Sequence, residues 1–497
     1  MKVLFATSEI VPFAKTGGLA DVSGALPPAL AALGDEVRVI MPLYRSVRSQ
    51  ARDLADTGLR VQVPVGEKTV AGELLVTTLP KSQTPVYCLR QDDCFDRDGL
   101  YGETGPDAHP YPDNCERFVF FSRGIVEALL QLDFQPDVIH LNDWQTALVA
   151  PYLKTLYRDR ERLRSLGTLI TVHNLLYQGI FWHWDMALTG LGWSLFNWRQ
   201  LEFYGKLNLL KGGLVFADYI STVSPSYARE IQTPAFGNGL EGVLAERRDH
   251  LVGIVNGIDG GAWNPETDPL LPARYSARNL AGKATCKAEL QKESRLPVAR
   301  RTPLVGMISR LVPEKGYDLV LEALPGLLAE GVQVVLLGTG EAKYHEAFTA
   351  LAEKFPNGFA AHLTFDNKLA HHIEAGADMF LMPSLVEPCG LNQLYSLRYG
   401  TVPVAHRTGG LADTITDASP EALAQGKANG FVLESATTPA LTEALGRALA
   451  LYRGNPKAWH ELQLVGMRQD WSWSRSAREY HALYERVAEA GRGSKSR

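Results

Sequence analysis

Residues 383–410, PSLVEPCGLNQLYSLRYGTVPVAHRTGG, contain two strand–turn–helix units in succession. An apolar strand at Met379–Met382 leads into a Pro-Cys-Gly turn that carries one acid, Glu387, and a helix is predicted to start near Leu391. A second strand, Val402–Ala405, leads through HRTGG into another helix. Because the free N–H groups of a helix N-terminus attract anions, two such turns suit a phosphate-bearing ligand. The acid between them suits the hydroxyl groups of that ligand.

The bulk properties of the chain indicate two or three globular domains. Its 497 residues are too many for one core, and 45% apolar with 21% charged residues is an ordinary globular composition. The net charge of −5 gives no global reason to expect nucleic acid, and no run of about 20 apolar residues predicts a membrane span. The start, MKVLFATSEI, lacks the features of a signal peptide, and the five scattered cysteines form no CxxC pair. We expect a cytoplasmic protein without nucleic-acid or membrane partners.

Short β-branched runs alternate with longer amphipathic segments along the whole chain, which predicts βαβ units and parallel sheets. In the first half the predicted strands are Val3–Thr7, Glu36–Ile40, Val138–Leu141, Leu169–Val172, Tyr219–Thr222 and Val252–Val255. In the second half they are Leu304–Ser309, Gln333–Leu337, His362–Phe365, Met379–Met382 and Val402–Ala405. The fold class is therefore α/β, with two sheets.

An irregular and then charged stretch at 259–300 separates the two sets of strands. We predict an N-terminal domain at 1–257, with an insertion at about 41–115, and a C-terminal domain at 258–470. The last segment, 471–497, is predicted as an amphipathic helix followed by a frayed tail.

Polar, charged and glycine residues follow the strands in both halves. KTGG, NDWQ, HN and NGID come after first-half strands, and RLVPEKG and GTGE come after second-half strands. Proline and glycine in one turn commonly do no more than punctuate a βα unit. The repeated pattern points to ligand binding, because open α/β sheets bind ligands beyond the carboxyl ends of their strands. Two such sheets facing each other would form one cleft.

These motifs resemble those of the bacterial glycogen synthases and the plant starch synthases. The resemblance covers nearly the whole chain, from KTGGLADVSGALP through HLNDWQ, TVHNLLYQG, VSPSYARE, IVNGID and SRLVPEKG to the stretch quoted first. It implies a retaining glucosyltransferase of GT-B architecture, with two Rossmann-like domains facing across a deep cleft and the C-terminal helix returning to the N-terminal domain. The implied reaction transfers glucose from ADP-glucose to the non-reducing end of glycogen or another α-1,4-glucan.

The resemblance also implies which residues act on the reacting glucose and its leaving diphosphate: Glu387, Lys15, Arg310, Lys315, His173 and Asp143. Arg310 and Lys315 would bind the diphosphate, and Lys15 would face the donor from the N-terminal side. Glu387 would hold glucose hydroxyls, with His173 near the 6-hydroxyl. As negative charge develops on the diphosphate, cations and amides fixed at the leaving group should contribute most to catalysis. We therefore expect no metal and no other cofactor.

A further set is implied to bind the donor: Gly17, Gly18, Asp21, Asn256, Phe365, Cys389, Gly390, Leu391, Asn392, Gly409 and Gly410. The glycines, Cys389 and Leu391 would offer backbone amides, whereas Asn392 would donate to phosphate where some bacterial members have threonine. Asp21 would support the lysine loop, and Phe365 would stack on the base. Many GT-B relatives carry a second Glu eight residues after the first, and Tyr395 stands at that position here.

The segment FDRDGLYG, residues 95–102, allows two interpretations. Its Asp-x-Asp element, Asp96 and Asp98, binds a divalent metal in another class of glycosyltransferases. The whole segment instead matches the loop that borders the acceptor groove in the resembling family. On that interpretation Tyr101 and Trp144 lie on the acceptor side.

Three alternatives to this function remain to be weighed. Another retaining GT-B glucosyltransferase would use UDP-glucose or a small acceptor. A glucan-binding protein without enzymatic activity would explain the aromatic residues in WHWDMALTGLGWSLFNW, but it would not need Arg310 and Lys315. A nicotinamide dehydrogenase would carry G-x-G-x-x-G after its first strand, where this chain has KTGGLAD.

Overall fold

The structure is a computed structural model that describes residues 1–80, 82–104 and 109–493. Two compact units divide the chain. Unit 1 comprises Met1–Val223, Ala228–Gly257 and Trp473–Arg497, and unit 2 comprises Ser224–Tyr227 and Ile258–Ser472. The predicted frayed tail reaches residues 494–497, which lie outside the described residues. That the units face each other across a cleft stays a prediction.

The strands of unit 1 range from two to 11 residues in length, and the central ones of its large sheet are the most buried. In chain order they are β1 (Lys2–Ala6), β2 (Glu36–Pro42), β3 (Ala55–Val65), β4 (Lys68–Thr78), β5 (Pro85–Arg90), β6 (Val138–Asn142), β7 (Gly167–Val172), β8 (Ile180–Phe181), β9 (Glu202–Phe203), β10 (Lys206–Asn208), β11 (Tyr219–Thr222) and β12 (Leu251–Gly253).

Within the described residues, nine of these strands form one sheet in the order β12-β11-β7-β6-β1-β2-β5-β4-β3. The strands from β12 to β5 are parallel, whereas β4 and β3 add an antiparallel hairpin at one edge. This hairpin lies within residues 41–115, the segment predicted as an insertion, and it extends the sheet. Strands β8, β10 and β9 form a small antiparallel sheet of their own.

Most helices of unit 1 that precede its last segment connect successive parallel strands along the chain. They are α1 (Gly18–Ala32), α2 (Arg45–Gln50), α3 (Asp92–Phe95), α4 (Asn114–Gln131), α5 (Val149–Lys154), α6 (Met186–Thr189), α7 (Leu209–Phe216), α8 (Pro225–Glu230) and α9 (Glu241–Glu246). The start of α8 falls in Ser224–Tyr227 and therefore belongs to unit 2.

In the described part of unit 2, six strands form a parallel sheet in the order β15-β14-β13-β16-β17-β18. The strands are β13 (Leu304–Ile308), β14 (Gln333–Leu337), β15 (Phe359–His362), β16 (Met379–Met382), β17 (Val402–His406) and β18 (Phe431–Leu433). Successive residues of β16 alternate between two core clusters, so both faces of the sheet are buried. This strand order is that of the Rossmann fold.

The helices of unit 2 cover both faces of this sheet. They are α10 (Ala281–Glu293), α11 (Tyr317–Ala329), α12 (Ala342–Lys354), α13 (Asn367–Gly376), α14 (Asn392–Arg398), α15 (Gly409–Thr414), α16 (Pro420–Ala424), α17 (Thr438–Gly454) and α18 (Pro456–Arg468).

The last helix, α19 (Trp473–Gly493), packs on α1, β6 and β7 of unit 1. Its buried residues recur every three or four positions, as an amphipathic helix requires. Gly491 allows close approach, because a Cβ there would lie 2.6 Å from the backbone nitrogen of Gly167 on β7. The hydroxyl of Tyr484 lies 2.8 Å from Nδ1 of His140 on β6. In the part of the chain that the structure describes, no helix is long and apolar enough to cross a membrane.

One predicted strand is displaced. Phe359–His362 forms β15, whereas the prediction placed a strand at His362–Phe365. Phe365 instead lies in the loop between β15 and α13, where its exposed ring contributes no core packing. The remaining predicted strands are observed with ends that differ by up to two residues.

The strand order places the candidate site residues at a topological switch point in each unit. In unit 1 the order reverses between β1 and β6, which are followed by Lys15 and Asp143. In unit 2 it reverses between β13 and β16, which are followed by Lys315 and Glu387. Connections leave such a pair of strands in opposite directions and leave a crevice at their carboxyl ends, where ligands bind.

Candidate active site

Lys315 and Glu387 form an ion pair at the switch point of unit 2. Nζ of Lys315 donates to Oε2 of Glu387 at 2.6 Å, and Oγ of Ser384 donates to the same oxygen at 2.9 Å. The lysine and glutamate side chains are only 18% and 10% exposed. Water screens so shielded a pair less than a surface pair, so the attraction between the two charges fixes both side chains.

The two βα turns of residues 383–410 pack against each other. The N–H of Gly410 donates to the carbonyl oxygens of Glu387 and Pro388, both at 3.1 Å. The prediction that this amide faces a phosphate is therefore wrong. Gly409 has a φ of +45°, and a Cβ at Gly409 or Gly410 would overlap a carbonyl oxygen of the first turn. Glycine is needed at both positions because any side chain there would push the second turn away from the backbone that carries Glu387.

The turn after Glu387 leads directly into α14. Gly390 has a φ of +72°, which glycine adopts without steric cost, and Leu391 is the last residue before the helix. Cys389 is buried, and its carbonyl oxygen accepts from Nε2 of Gln393 at 2.9 Å. The binding of a donor by the backbone amides of Cys389, Gly390 and Leu391 stays a prediction.

Two side chains of α14 make contacts that the sequence did not predict. Nδ2 of Asn392 donates to the carbonyl oxygen of Ile308 at 2.6 Å, so it ties the helix to the end of β13. The amide nitrogen has a second N–H, so donation by Asn392 to phosphate stays a prediction. The ring of Tyr395 stacks on Trp263, with ring centroids 3.9 Å apart and an interplanar angle of 11°.

Arg310 and Phe365 are exposed near the carboxyl ends of β13 and β15. The side chain of Arg310 is 56% exposed, and its guanidinium lies 3.9 Å from the carboxylate of Glu314. Phe365 is 84% exposed. An exposed Arg and an exposed aromatic ring keep their surfaces available for a phosphate and for a base, respectively.

Lys15 is held by an acid of α1 in unit 1. Its Nζ donates to both carboxylate oxygens of Asp21, at 2.7 and 2.8 Å. Asp21 thus restrains the lysine side chain, and its role in donor binding stays a prediction. A Cβ at Gly17 or Gly18 would meet no described atom within 4 Å, so local packing does not require these glycines. Space beside the backbone is what a closely approaching ligand needs.

The amide of Gly17 is not directed at a ligand. It donates to Oε2 of Glu9 at 3.1 Å, and the N–H of Thr16 donates to the same oxygen at 2.6 Å. This corrects the prediction for the Gly17 amide. The sequence reasoning missed Glu9, which lies just after the predicted strand Val3–Thr7. The signal was present, because an acid that directly follows the first strand of an α/β sheet lies at its ligand-binding end.

Asp143 and His173 follow the adjacent strands β6 and β7. Oδ1 of Asp143 accepts from the backbone N–H of His173 at 2.8 Å, and Asp143 has a φ of +55°. Burial raises the pKa of Asp143 to about 7, and the charge of Glu9 contributes in the same direction.

The imidazole of His173 is neutral at physiological pH. Burial lowers the pKa of His173 to about 3. Its Nε2 lies 2.9 Å from Oδ1 of Asn142, whose Nδ2 donates to the carbonyl oxygen of Ala6. Because that amide oxygen can only accept, Nε2 carries the proton and Nδ1 is left as an acceptor.

Asn256 follows β12 and is 6% exposed. Its Oδ1 is buried and, among the described residues, has no hydrogen-bond donor within reach. A buried amide oxygen without a donor costs free energy unless a ligand or water satisfies it. Asn256 therefore keeps its place among the predicted donor-binding residues.

Both predicted acceptor-side residues make contacts within unit 1, and their place on the acceptor side stays a prediction. The ring of Trp144 is 9% exposed and packs against Phe118, with ring centroids 4.8 Å apart, and against Phe181 at 5.7 Å. It belongs to an aromatic cluster and has little surface left for a glucan. The hydroxyl of Tyr101 donates to Oε1 of Glu9 at 2.8 Å, so it is part of the support beneath the Lys15 loop.

Arg45 pairs with the Asp-x-Asp element. Its Nε donates to Asp96 at 2.8 Å, and its Nη1 pairs with Asp98. A guanidinium thus occupies the position between the two carboxylates. Within the described ranges, no group of three or more His, Cys, Asp or Glu residues could hold a metal ion.

The segment Ser224–Tyr227 contributes contacts to unit 2 that the sequence reasoning missed. Oγ of Ser224 donates to the carbonyl oxygen of Pro388 at 2.7 Å. The backbone N–H and Oγ of Ser226 donate to the carboxylate of Asp413 on α15, both at 2.7 Å. These serines of the VSPS motif therefore brace the two turns around Glu387.

The fold and the two switch-point clusters define the class of this protein, the glycosyltransferases with two Rossmann-like domains. Residues 290–461 match the family model described as "Glycosyl transferases group 1". A solved sucrose-phosphate synthase from Thermosynechococcus elongatus shares the fold, with a TM-score of 0.58 and 16% identity over 98% of this chain and 99% of that chain.

Residues 2–246 match the model described as "Starch synthase catalytic domain". The chain is 48% identical to a glycogen synthase of Syntrophotalea carbinolica, over 98% of this chain and 99% of the relative. It is 47% identical to glycogen synthase 2 of Geobacter sulfurreducens, over 99% and 100%. The chain belongs to the starch and glycogen synthase family. The predicted family and the predicted fold class are confirmed.

A solved relative from a plant has the same fold at higher identity. The catalytic domain of starch synthase IV from Arabidopsis thaliana, bound to ADP and acarbose, has a TM-score of 0.88 and 35% identity to this chain. The similarity covers 98% of this chain and 99% of that chain.

Proposed function

We propose that this protein is a cytoplasmic glycogen synthase that transfers glucose from ADP-glucose to the non-reducing end of an α-1,4-glucan with retention of configuration. The shielded Lys315–Glu387 pair carries this proposal, because it combines a cation for a diphosphate with an acid for sugar hydroxyls at one switch point. The names of the glycogen synthase relatives and the ADP in the plant structure support the donor and the acceptor.

The leaving diphosphate is the group that most needs stabilisation. Breaking the anomeric C–O bond leaves the bonding electrons on the diphosphate oxygen, and the glucose ring acquires oxocarbenium character. We assign Lys315, Arg310 and Lys15 to this developing negative charge, and no metal ion or other cofactor takes part. Cations fixed by Glu387 and Asp21 before the reaction need not reorganise during it, which is the condition for a large electrostatic effect.

Glu387 acts by binding and charge in this proposal. Its carboxylate accepts from glucose hydroxyls and favours the positive ring at a distance. The acceptor hydroxyl attacks on the face from which the diphosphate leaves, so the anomeric configuration is kept. The acceptor proton passes to the departing phosphate oxygen, so no protein base is required for this step.

The neutral His173 is assigned to orientation of the glucose. An imidazole whose Nε2 proton is held by Asn142 offers Nδ1 as an acceptor near the 6-hydroxyl. Asp143 accepts from the backbone of His173 and thereby fixes this loop. Asn256, with its buried amide oxygen, completes the proposed contacts of unit 1 with the donor.

The test compares two labelled donors. Radiolabelled ADP-glucose and UDP-glucose are each incubated with the protein, with and without glycogen, and polymer-bound label is counted. We expect incorporation from ADP-glucose that depends on glycogen and is at least about 10-fold faster than from UDP-glucose. Faster incorporation from UDP-glucose would identify a different retaining transferase. Binding of glycogen with no incorporation from either donor would identify a glucan-binding protein.

A further inference from the structure

Glu9 is a buried acid that receives four hydrogen bonds. Its Oε2 accepts from the backbone N–H groups of Thr16 and Gly17, at 2.6 and 3.1 Å. Its Oε1 accepts from Oγ1 of Thr16 at 2.6 Å and from the hydroxyl of Tyr101 at 2.8 Å. The residue is only 4% exposed. A buried carboxylate is stable when several donors satisfy it, and here each oxygen has two.

The four donors come from two segments that are distant in the sequence. Thr16 and Gly17 belong to the loop between β1 and α1, which carries Lys15. Tyr101 belongs to the segment FDRDGLYG, whose backbone is held by Nδ2 of Asn114, donating to the Tyr101 carbonyl oxygen at 2.8 Å. Glu9 therefore joins the KTGG loop to the FDRDGLYG segment within unit 1.

We propose that Glu9 is a positioning residue, which holds Lys15 where it acts on the leaving diphosphate by fastening Thr16 and Gly17 to Tyr101. The inference rests on the proposed function, since Lys15 is assigned there to the diphosphate. Glu9 does not contact the reacting atoms in this proposal. It acts through the loop backbone, one and two residues after Lys15.

The geometry of the loop explains why a carboxylate is suited to the position of Glu9. The loop from residue 7 to residue 17 has Glu9 near one end and Thr16 and Gly17 at the other, so one carboxylate closes it. Hydrogen bonds to a charged acceptor are about twice as strong as neutral ones, which limits the motion of the loop. Without this closure, the Lys15 side chain would be restrained by Asp21, in a pair whose side chains are 48% and 31% exposed, and the preceding backbone by the bridge between Ile10 and Ala14.

The hydroxyl of Tyr101 serves this network as a donor. Burial and the charge of Glu9 hold the pKa of the Tyr101 phenol well above its usual value, so the hydroxyl keeps its proton and donates. The oxygen of the same hydroxyl lies 2.8 Å from Oγ of Ser8. The Tyr101 side chain is thus fixed at both its donor and its acceptor positions.

The experiment measures kcat and KM for ADP-glucose in Glu9→Ala, Glu9→Gln and Tyr101→Phe. Because a displacement of about 1 Å can cost about 100-fold in rate, we expect Glu9→Ala to lower kcat by about 30- to 100-fold. Glu9→Gln keeps an oxygen for the two backbone N–H groups and should lose about 10-fold or less. Tyr101→Phe removes one donor and should lose about 3-fold. Glu67→Gln, at an exposed turn of the β3–β4 hairpin, is the matched control and should retain wild-type kcat.

A double-variant cycle separates positioning from a general effect on the fold. If Glu9 acts through Lys15, then Glu9→Gln should change kcat less than twofold in a Lys15→Met background, although it lowers kcat in the wild type. An equal loss in both backgrounds would overturn the proposal. So would Glu9→Gln and Tyr101→Phe proteins that both have wild-type kcat. If the wild type transfers no glucose, the proposed function is wrong. The hydrogen-bond network around Glu9 is then tested by a measurement that does not depend on activity.

Amide hydrogen exchange provides that test. The N–H groups of Thr16 and Gly17 should exchange at least about 10-fold faster in Glu9→Gln than in the wild type, because the amide group is a weaker acceptor than the carboxylate. Exchange at α19 should be unchanged in the same protein. Unchanged exchange at Thr16 and Gly17 would overturn the proposal, whatever the activity.

Discussion

At the scale of single residues, Glu387 is the acid on which the proposed chemistry depends most. Its carboxylate is paired with Lys315 and 10% exposed, while the backbone of its turn is held separately by Gly410. Glu387→Ala should therefore lower kcat by at least about 100-fold, or about 2.7 kcal/mol of transition-state stabilisation, and leave the fold intact. Steady-state kinetics and a melting curve check this. A folded variant with near-wild-type turnover would remove Glu387 from the site.

Lys315 distinguishes protein cations from a metal ion as the group that stabilises the leaving diphosphate. Lys315→Gln should lower kcat by about 100-fold and raise the donor KM by a smaller factor. The reason is that the charge matters most in the transition state. Added magnesium should not restore the activity, and EDTA should leave the wild type nearly unchanged. Arg310→Ala combined with Lys315→Gln should lose less than the sum of the two, since both act on one diphosphate.

A metal mechanism through Asp96 and Asp98 predicts the opposite pattern. EDTA would then abolish wild-type activity, and a divalent ion would restore it. Arg45, which pairs with both carboxylates, provides the control. Arg45→Gln should not create a requirement for a divalent ion.

Asp143 should give the stability of unit 1 a measurable pH dependence. Its pKa is about 7 in the folded protein and about 3.8 in an unfolded chain, so the folded state binds more protons between these values. The free energy of unfolding then falls as the pH rises from about 4 to about 7, by up to about 1.4 kcal/mol per unit of pKa difference. Asp143→Asn cannot titrate, and Asn tolerates a positive φ.

The expected result is a crossover in melting temperature. Asp143→Asn should melt close to the wild type at pH 4 and above it at pH 8, although its activity is reduced. Thermal denaturation at a series of pH values measures this. Equal differences in melting temperature at pH 4 and pH 8 would show that Asp143 ionises normally.

At the scale of secondary-structure elements, the sequence predicted the sheets well and the contacts between turns poorly. Buried strands such as Tyr219–Thr222 and Gln333–Leu337 are short apolar runs bounded by polar residues, so local pattern suffices to find them. The strand at Phe359–His362 was misplaced by three residues because exposed Phe365 continued the apolar run. An apolar residue in a sequence does not reveal whether it packs in the core or faces a ligand.

The use of backbone amides could not be predicted because it depends on which turns meet. KTGG and HRTGG both contain a glycine pair at a helix start, and the sequence suggested phosphate binding for each. In the structure the amide of Gly17 donates to Glu9 and that of Gly410 donates to Glu387. These acceptors lie eight and 23 residues before the donors, at positions that only the folded chain brings close.

The packing of one turn on another yields a prediction with a matched control. Gly409 and Gly426 both have positive φ values, +45° and +62°. A Cβ at Gly409 would overlap the carbonyl oxygen of Glu387, whereas a Cβ at Gly426 would meet no described atom within 4 Å. Both alanine variants should lose about 1 kcal/mol of stability from backbone strain, and Gly409→Ala should lose about 1–3 kcal/mol more from the overlap. Only Gly409→Ala should lower kcat, by about 10-fold or more, because it displaces the Glu387 turn.

Kinetics and chemical denaturation of the two variants decide between strain and displacement. Equal kcat values for Gly409→Ala and Gly426→Ala would show that the second turn does not support the first.

At the scale of the whole molecule, sequence position is a poor guide to which unit a segment joins. The segment Ser224–Tyr227 follows a strand of unit 1 and belongs to unit 2, where its serines contact Pro388 and Asp413. Trp473–Gly493, at the other end of the chain, packs on α1, β6 and β7 of unit 1. Hydrophobic period alone predicted that this helix buries one face, and only the family resemblance indicated which domain it covers.

The close fit of α19 to unit 1 predicts opposite effects for two similar substitutions. Gly491 and Gly446 are both inside helices, where alanine is favoured over glycine by about 1 kcal/mol. At Gly446 a Cβ would meet no described atom within 4 Å, so Gly446→Ala should raise the melting temperature. At Gly491 the Cβ would lie 2.6 Å from the backbone nitrogen of Gly167, which cannot move without distorting β7. Overpacking of this kind costs about 1–3 kcal/mol, so Gly491→Ala should lower the melting temperature. Scanning calorimetry of both variants checks the signs, and a melting temperature raised equally by the two substitutions would contradict close packing of α19 on β7.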